Sequence, residues 1–216
     1  MIKIQPIVKE IILKDLEAYI ALFDGYMNMS SYAYKIRGEV EEITKKKVTI
    51  TSLVVSLSRI KKELKKQKPL IQDINIKNIS TKLPISEIVY ENSNKFIEEL
   101  GTLHKGISLT REDFFVSTIS INEMNIIVSS NLVDKVIKHF KNKPKIINHD
   151  LAAVGISLSE ENFNIPNTFF SLLSVLARNR INIEELVSTS TELIFIIKEK
   201  DFTDTVSLFS KLYKNN

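Results

Sequence analysis

Apolar residues in the first part of the chain recur every three or four positions. Ile7, Ile11, Ile12, Leu16, Tyr19, Ile20 and Phe23 form one such stripe, the spacing of a helix with one buried face. Gly25 follows it and suits a helix end, and Asn28-Met29-Ser30 offers amino-terminal capping chemistry. A second helix is expected with Tyr32, Ala33, Ile36, Val40 and Ile43 facing inward, then a polar turn at Lys45-Lys46-Lys47. Thr49 or Thr51 can cap a third helix carrying Leu53, Val54, Leu57, Ile60 and Leu64. Two helices joined by a short turn, behind a supporting first helix, make a helix-turn-helix arrangement. The pattern changes after Lys65-Lys66-Gln67-Lys68-Pro69, where short Ile-, Val- and Phe-rich runs alternate with amphipathic stretches.

The second region contains a repeat at a spacing of about 70 residues. Phe115-Val116-Ser117-Thr118 is echoed by Leu186-Val187-Ser188-Thr189, and Glu123 to Val128 by Glu192 to Ile197. The later copy reads as strand 151–158, helix 168–179, strand 183–189, strand 193–198 and helix 202–213. The fold class expected is therefore α+β: a helical domain over residues 1–68, then two tandem ferredoxin-like βαββα(β) domains over 70–146 and 147–216. Neither copy shows a closing strand, and an open sheet edge invites pairing with another copy, within the chain and in a homodimer.

Composition narrows the chemistry. No cysteine is present, which excludes disulfides, thiol catalysis and cysteine zinc sites. The amino terminus reaches Lys9 and Glu10 before any long apolar run, so neither a signal peptide nor a membrane span is expected, and a cytoplasmic protein is. His104, His139 and His149 lie far apart with no metal-ligand spacing, and five glycines leave no phosphate-binding loop. No enzyme, cofactor or metal is implied. Residues 1–70 hold 14 Lys/Arg against 8 Asp/Glu, a net of +6, although the whole chain carries only +4. On the third helix Ser52, Ser56, Arg59, Lys62 and Lys66 oppose the apolar stripe. That face fits double-stranded DNA, Arg reading guanine and Lys neutralising phosphates, or equally the solvated face of a linker or dimerisation domain.

The later copy resembles the ACT domains at the carboxyl terminus of aspartate kinases. The resemblance rests on Ala153-Val154-Gly155, Ile165-Pro166-Asn167-Thr168, Ala177 to Ile183, and Ser188-Thr189-Ser190-Thr191-Glu192 leading into Leu193 to Ile197. The earlier copy is similar but more divergent, and the amino-terminal third resembles the helix-turn-helix segment of archaeal regulators of amino-acid metabolism. The resemblance implies a non-catalytic regulator binding a small ligand, an amino acid, at a domain interface. The alternative is a subunit that oligomerises or docks on a metabolic enzyme without DNA. Carried over, the ligand loop is Asn164, Ile165, Pro166, Asn167 and Thr168, with Asn182, Ile183 and the hairpin residues Ser188, Thr189, Thr191 and Glu192 as partners. The family has glycine where Asn167 stands. The earlier copy lacks that loop, Leu83-Pro84-Ile85 belonging instead to an extended strand, and an architectural role is expected for it.

Overall fold

A computed structural model describes residues 3–71, 74–163 and 165–213, with the side chains of His104 and Phe163 left aside. The chain folds as two compact units, Met1–Gln72 and Asp73–Asn216.

The first unit contains α1 (Ile4–Lys14), α2 (Leu16–Asp24), α3 (Met29–Thr44) and α4 (Ile50–Leu64). Val8, Ile12, Leu22, Ala33, Val40, Leu53, Leu57 and Ile60 form its buried centre. The single helix expected over Ile7 to Phe23 is two. Asp15 adopts extended backbone (φ −102, ψ 94) and its Oδ1 accepts the Ala18 N–H at 3.0 Å. An aspartate cap satisfies a donor that a continuous helix would leave to the backbone, and here the cap wins. The other carboxylate oxygen accepts from Tyr32 Oη and Lys35 Nζ, each at 3.1 Å. These bonds, the Ala18 N–H foremost, hold the Asp15 carboxyl below its ordinary value. Leu16 opens α2 half in solvent rather than inside, and Ile43 is likewise exposed, Thr44 taking the inward place with its hydroxyl on Val40 O. Gly25 ends α2 at φ 96, a left-handed conformation natural to glycine. Asn28 caps α3 by accepting the Ser31 N–H, and Thr49, not Thr51, caps α4 by accepting the Ser52 N–H.

The second unit is one antiparallel sheet backed by helices. Its elements are β1 (Ile76–Glu91), α5 (Asn94–Gly106), β2 (Phe115–Ile119), β3 (Glu123–Ser129) and α6 (Val133–His139), then β4 (Ile146–Leu158), α7 (Glu160–Phe163), α8 (Thr168–Arg178), β5 (Glu185–Ser188), β6 (Glu192–Lys198) and α9 (Phe202–Ser210). The strand order is β2-β3-β1-β4-β6-β5.

The two first strands are long, and each serves both copies. Ile85 to Glu91 of β1 pair with β3, while Ile76 to Lys82 pair with the carboxyl-terminal half of β4. In return Ile146 to Asn148 of β4 pair with Val89 to Glu87, and Leu151 to Ser157 pair with β6. The closing-strand position of each copy is thus filled by the amino-terminal half of the other copy's first strand. The ladder shifts register around Lys82, Ile85 and Glu87, where the exchange crosses over.

The ladders also correct the repeat. Ser120 and Thr189 cap equivalent hairpins, each hydroxyl accepting the backbone N–H of the glutamate three residues on, Glu123 and Glu192. The copies are therefore offset by 69 residues there, 189 minus 120, and Thr189 matches Ser120 rather than Thr118.

Alternation along the strands sorts side chains to two faces. Ile88, Tyr90, Met124, Ile126 and Val128 pack under Phe96 and Leu103, and Val154, Ile156, Phe195 and Ile197 pack under Leu172, Leu176 and Phe209. The opposite face carries Ile85, Ile127, Leu151, Ala153 and Ile196, all buried although no helix of the cluster covers them. Curvature buries them. Asn125 on β3 donates to Glu185 on β5 at 3.1 Å, yet three strands lie between. In a flat sheet four strand steps would span about 19 Å. The sheet is coiled until its two halves face one another across a concave interior.

Candidate functional site

The residues expected to hold a ligand fall in three places. Asn167 has φ 73 and ψ 8, the left-handed conformation that glycine favours and asparagine tolerates. Pro166 and Asn167 are exposed and Ile165 is half-buried. The Thr168 hydroxyl is buried 2.6 Å from Asn162 O and 2.9 Å from Ile165 O, so it closes its own loop. Asn164 lies outside the described residues. At the hairpin, Ser188, Thr189 and Thr191 are exposed, and Glu192 is half-buried. Thr191 O accepts the Leu158 N–H at 3.0 Å, tying the hairpin to the end of β4.

Asn182 and Ile183 stand at the other end of β5. Four strand residues separate them from the hairpin, about 13 Å. Asn182 is exposed and donates to Glu184 Oε1 at 3.1 Å, and Ile183 packs on the helix side. The loop, the asparagine and the hairpin do not converge on one pocket as the family resemblance implied.

A different cavity does collect polar groups. It has a volume of about 510 Å³ and opens on the concave side, where the two copies meet. Ser80 and Lys82 of β1, Gly155 of β4 and Glu192 of β6 line it, with Arg111 and Asp113 from the loop before β2. Gly155 shapes it. Ser80 Oγ donates to Glu192 Oε1 at 2.8 Å across the intervening strand. A Cβ on Gly155 would lie 2.3 Å from that hydroxyl and 2.6 Å from that carboxylate. The bond exists because the strand between its partners presents no side chain.

Charges of both signs line the cavity. Lys82 Nζ donates to Glu112 O at 2.5 Å. Asp113 accepts the Thr110 N–H at 2.9 Å and its hydroxyl at 2.8 Å. The Thr110 N–H first, then its hydroxyl, and more weakly Asn131 and the Lys82 charge, hold the Asp113 carboxyl below its ordinary value. Ser80 and Lys82 sit two positions apart on one strand face, about 7 Å. Glu192 and Ser80 therefore mark one end of the cavity, and Lys82, with Arg111 and Asp113 of the loop it binds, the other.

The exchange of strands gives this cavity a counterpart. Ile85 faces Ser129 as Leu151 faces Lys198, so Glu87 corresponds to Ala153. Lys82 pairs with Ala153 as Asn148 pairs with Glu87. In the counterpart the corresponding side chains are bonded to one another. Asn125 Nδ2 donates to Glu87 Oε1 at 2.8 Å and to Glu185 Oε2 at 3.1 Å, and Asn148 Nδ2 donates to Glu87 Oε2 at 2.6 Å. Burial pushes the Glu185 carboxyl up, the Asn125 bond opposes it, and the Glu87 charge adds to the rise.

Elsewhere the chemistry is sparse. His139 ends α6 with its ring Nε2 2.8 Å from Glu99 O, and His149 Nδ1 lies 3.2 Å from Ser86 Oγ. Among the described residues no three acidic or histidine side chains gather as a metal site. No helix there is long and apolar enough to cross a membrane. On α4, Arg59 and Lys62 are exposed and Ser52 is half-buried, while Lys66, expected on the same helix, is exposed in the turn beyond its end at Leu64. Ser56 departs from expectation: it is buried and donates to Ser52 O at 2.9 Å, so it has no free hydroxyl to read a base. Serine in a helix interior commonly bonds back to the preceding turn.

No protein-family model matches the chain, and no curated protein matches it. Solved structures do. Aspartate kinase from Clostridium acetobutylicum superimposes with a TM-score of 0.56 at 14% identity, over 65% of this chain and 35% of that one. This chain thus spans about a third of that enzyme's length. The ligand-free regulatory subunit of aspartate kinase from Thermus thermophilus gives 0.53 at 12% identity, over 65% of this chain and 99% of that one. Aspartate kinase from Synechocystis gives 0.53 at 10% identity, over 69% and 30%. At such identities the likeness is one of fold, and the fold is ACT-like.

Proposed function

We propose that this chain is a non-catalytic regulator of amino-acid metabolism that takes an amino acid in the cavity between Ser80, Gly155 and Glu192. The observation that carries the reading is the glycine-dependent opening, with the Glu192 carboxylate and Ser80 hydroxyl at one end and Lys82 and Arg111, beside Asp113, at the other. A zwitterion needs both kinds of partner, because burying either charged group unpaired costs more than binding returns. A thermal-shift screen of the standard amino acids tests it, since a ligand of the native state raises its stability by mass action. One amino acid should raise the melting temperature of the wild type and not of Gly155→Ala, whose methyl group would occupy the site. A shift that survives in Gly155→Ala would send the ligand site back to the loop at Ile165 to Thr168, where Asn167 keeps the left-handed turn.

Two partner readings accompany it. The basic surface of the helical unit, with Arg59, Lys62 and Lys66 exposed, supports contact with double-stranded DNA and hence a transcription regulator. The open edges of β2 and β5, with Ile119 and Leu186 partly exposed, support a homodimer. Light scattering should give twice the chain mass at micromolar concentration; a monomer would remove the dimer from the proposal.

A further inference from the structure

The first unit has a groove of about 720 Å³ between the start of α1, the turn after α3 and the first half of α4. Its charged lining is Lys3, Lys46, Lys47 and Arg59, with no carboxylate among the lining residues. None of these four has an ion-pair partner among the described residues. Elsewhere in the unit Lys9 pairs with Glu63, Lys14 with Glu10, Lys35 with Asp15 and Arg37 with Glu41. Lys47 stands near enough to Glu41 to lower its carboxyl, but that carboxylate is already engaged by the Val48 N–H at 2.8 Å and by Arg37 at 3.0 Å. Lys45, Lys61, Lys62, Lys65, Lys66 and Lys68 also have no ion-pair partner among the described residues, so what sets Lys3, Lys46, Lys47 and Arg59 apart is that they share one concavity lined by no carboxylate.

The floor of the groove bears on what it can hold. Ile4 and Val55 are apolar, Val55 being 44% exposed. Ser56 and Thr44 have turned their hydroxyls to backbone carbonyls. A recognition helix must stand proud to reach base edges, and here the Ser52 to Ser56 face of α4 is the bottom of a trough. A trough fits a ridge. The ridge of a duplex is its backbone, with phosphates for cations and deoxyribose faces for apolar floor. Phosphate contacts position a protein without reading sequence.

We infer that this groove grips one strand of duplex DNA by its sugar–phosphate backbone, with Lys46, Lys47, Arg59 and Lys3 on phosphates, and that the helical unit binds DNA without sequence preference through it. The inference rests on the reading that this unit meets DNA. It differs from that reading in naming the backbone as the ligand, and in placing contact on the turn lysines rather than on Lys62 and Lys66.

The test uses the full chain and a labelled duplex of about 20 base pairs, titrated by fluorescence anisotropy from low to moderate salt. Each neutralised phosphate adds about −0.9 to the slope of log affinity against log salt, so four give about −3.6. Lys46→Gln with Lys47→Gln should flatten that slope by about 1.8 and weaken binding roughly tenfold or more. Lys62→Gln with Lys66→Gln removes the same charge outside the groove and should change the slope much less. Both pairs are exposed, and circular dichroism melts should confirm folding. Unrelated duplex sequences should bind alike. Equal losses from the two double variants, or none from Lys46 and Lys47, would overturn the groove while leaving DNA binding in place. Displacement of the duplex by micromolar inorganic pyrophosphate would reassign the groove to a free phosphorylated ligand. No binding of any duplex at low salt would overturn both this inference and the DNA reading.

Discussion

The two halves of the concave interface begin from the same strands and end differently. Around Gly155 the interface is open, with Ala153, Ile194 and Lys82 on its walls. At the corresponding positions of the other half stand Glu87, Asn125 and Asn148, bonded to one another and to Glu185. One half has surrendered side chains at the place where the other has gained them. The difference shows how a duplicated unit separates a site from its support: the open half leaves a cavity beside its polar groups, and the filled half turns its carboxamides and carboxylates on one another, although Asn125 Oδ1 stays buried without a partner. Support of that kind is costly to interrupt and a site is not.

The largest expected effect therefore lies in the filled half. Glu87→Ala strips the acceptor from two carboxamides, and Glu87 is only 8% exposed. Buried donors left unsatisfied should cost about 2–3 kcal/mol, read as a lowered urea midpoint. Lys82→Ala, at the position of the open half that corresponds to Asn148, removes one contact of a side chain facing the cavity and should cost less than about 1 kcal/mol. Equal costs for the two would mean that the open half is as much a part of the scaffold as the filled one.

Next in size is the glycine itself. The atoms nearest a Cβ at Gly155 are the hydroxyl of Ser80 and the flexible end of Glu192, side chains both, and its φ lies outside the left-handed region. Loss of the Ser80–Glu192 bond and relief of glycine's unfolded-state entropy oppose each other at about 1 kcal/mol each. Stability should therefore change by less than about 1 kcal/mol even though ligand response is lost. A collapse in stability without ligand would show that Gly155 is there for packing.

The local part of this architecture was legible beforehand. Asn28 and Thr49 announce helix starts through residues three positions away, and Gly25 announces an end. Asp15 was hidden because apolar residues on both sides of it keep a single helical period. Non-local features were beyond reach. Strand exchange depends on which half of β1 meets which half of β4, and either half alternates acceptably. Asn182 was grouped with the hairpin by family resemblance, and the length of β5 sets them apart. Ser80, Lys82 and Arg111 come from the copy expected to be architectural, and nothing in their spacing marks a site. The available signal was Gly155 itself: in a chain of five glycines, one stands inside a run of strand-forming residues, where glycine weakens a strand unless something must approach closely.

The smallest effect sharpens the comparison through pH. Glu185 reaches across the filled half to Asn125, where burial and the Glu87 charge raise its carboxyl above the ordinary glutamate value of 4.5. A raised acid binds a proton in the folded state that the unfolded state has already released. Between the ordinary value and the raised one, stability must therefore fall as pH rises, and above the raised value the penalty is complete. Glu185→Gln keeps an oxygen for the Asn125 amide and removes the charge. It should stabilise the protein at neutral pH, and the gain should vanish as pH drops below the ordinary glutamate range. Because Glu185 is partly exposed, solvent screens the interaction, and the gain should be about 0.5 kcal/mol and shrink with added salt. Denaturation midpoints of the two proteins across pH 3 to 8, at low and high salt, measure it. A variant less stable than wild type at neutral pH would show that the ionised carboxylate is needed by the Asn125–Glu87 network, and that the filled half is held together by charge rather than strained by it.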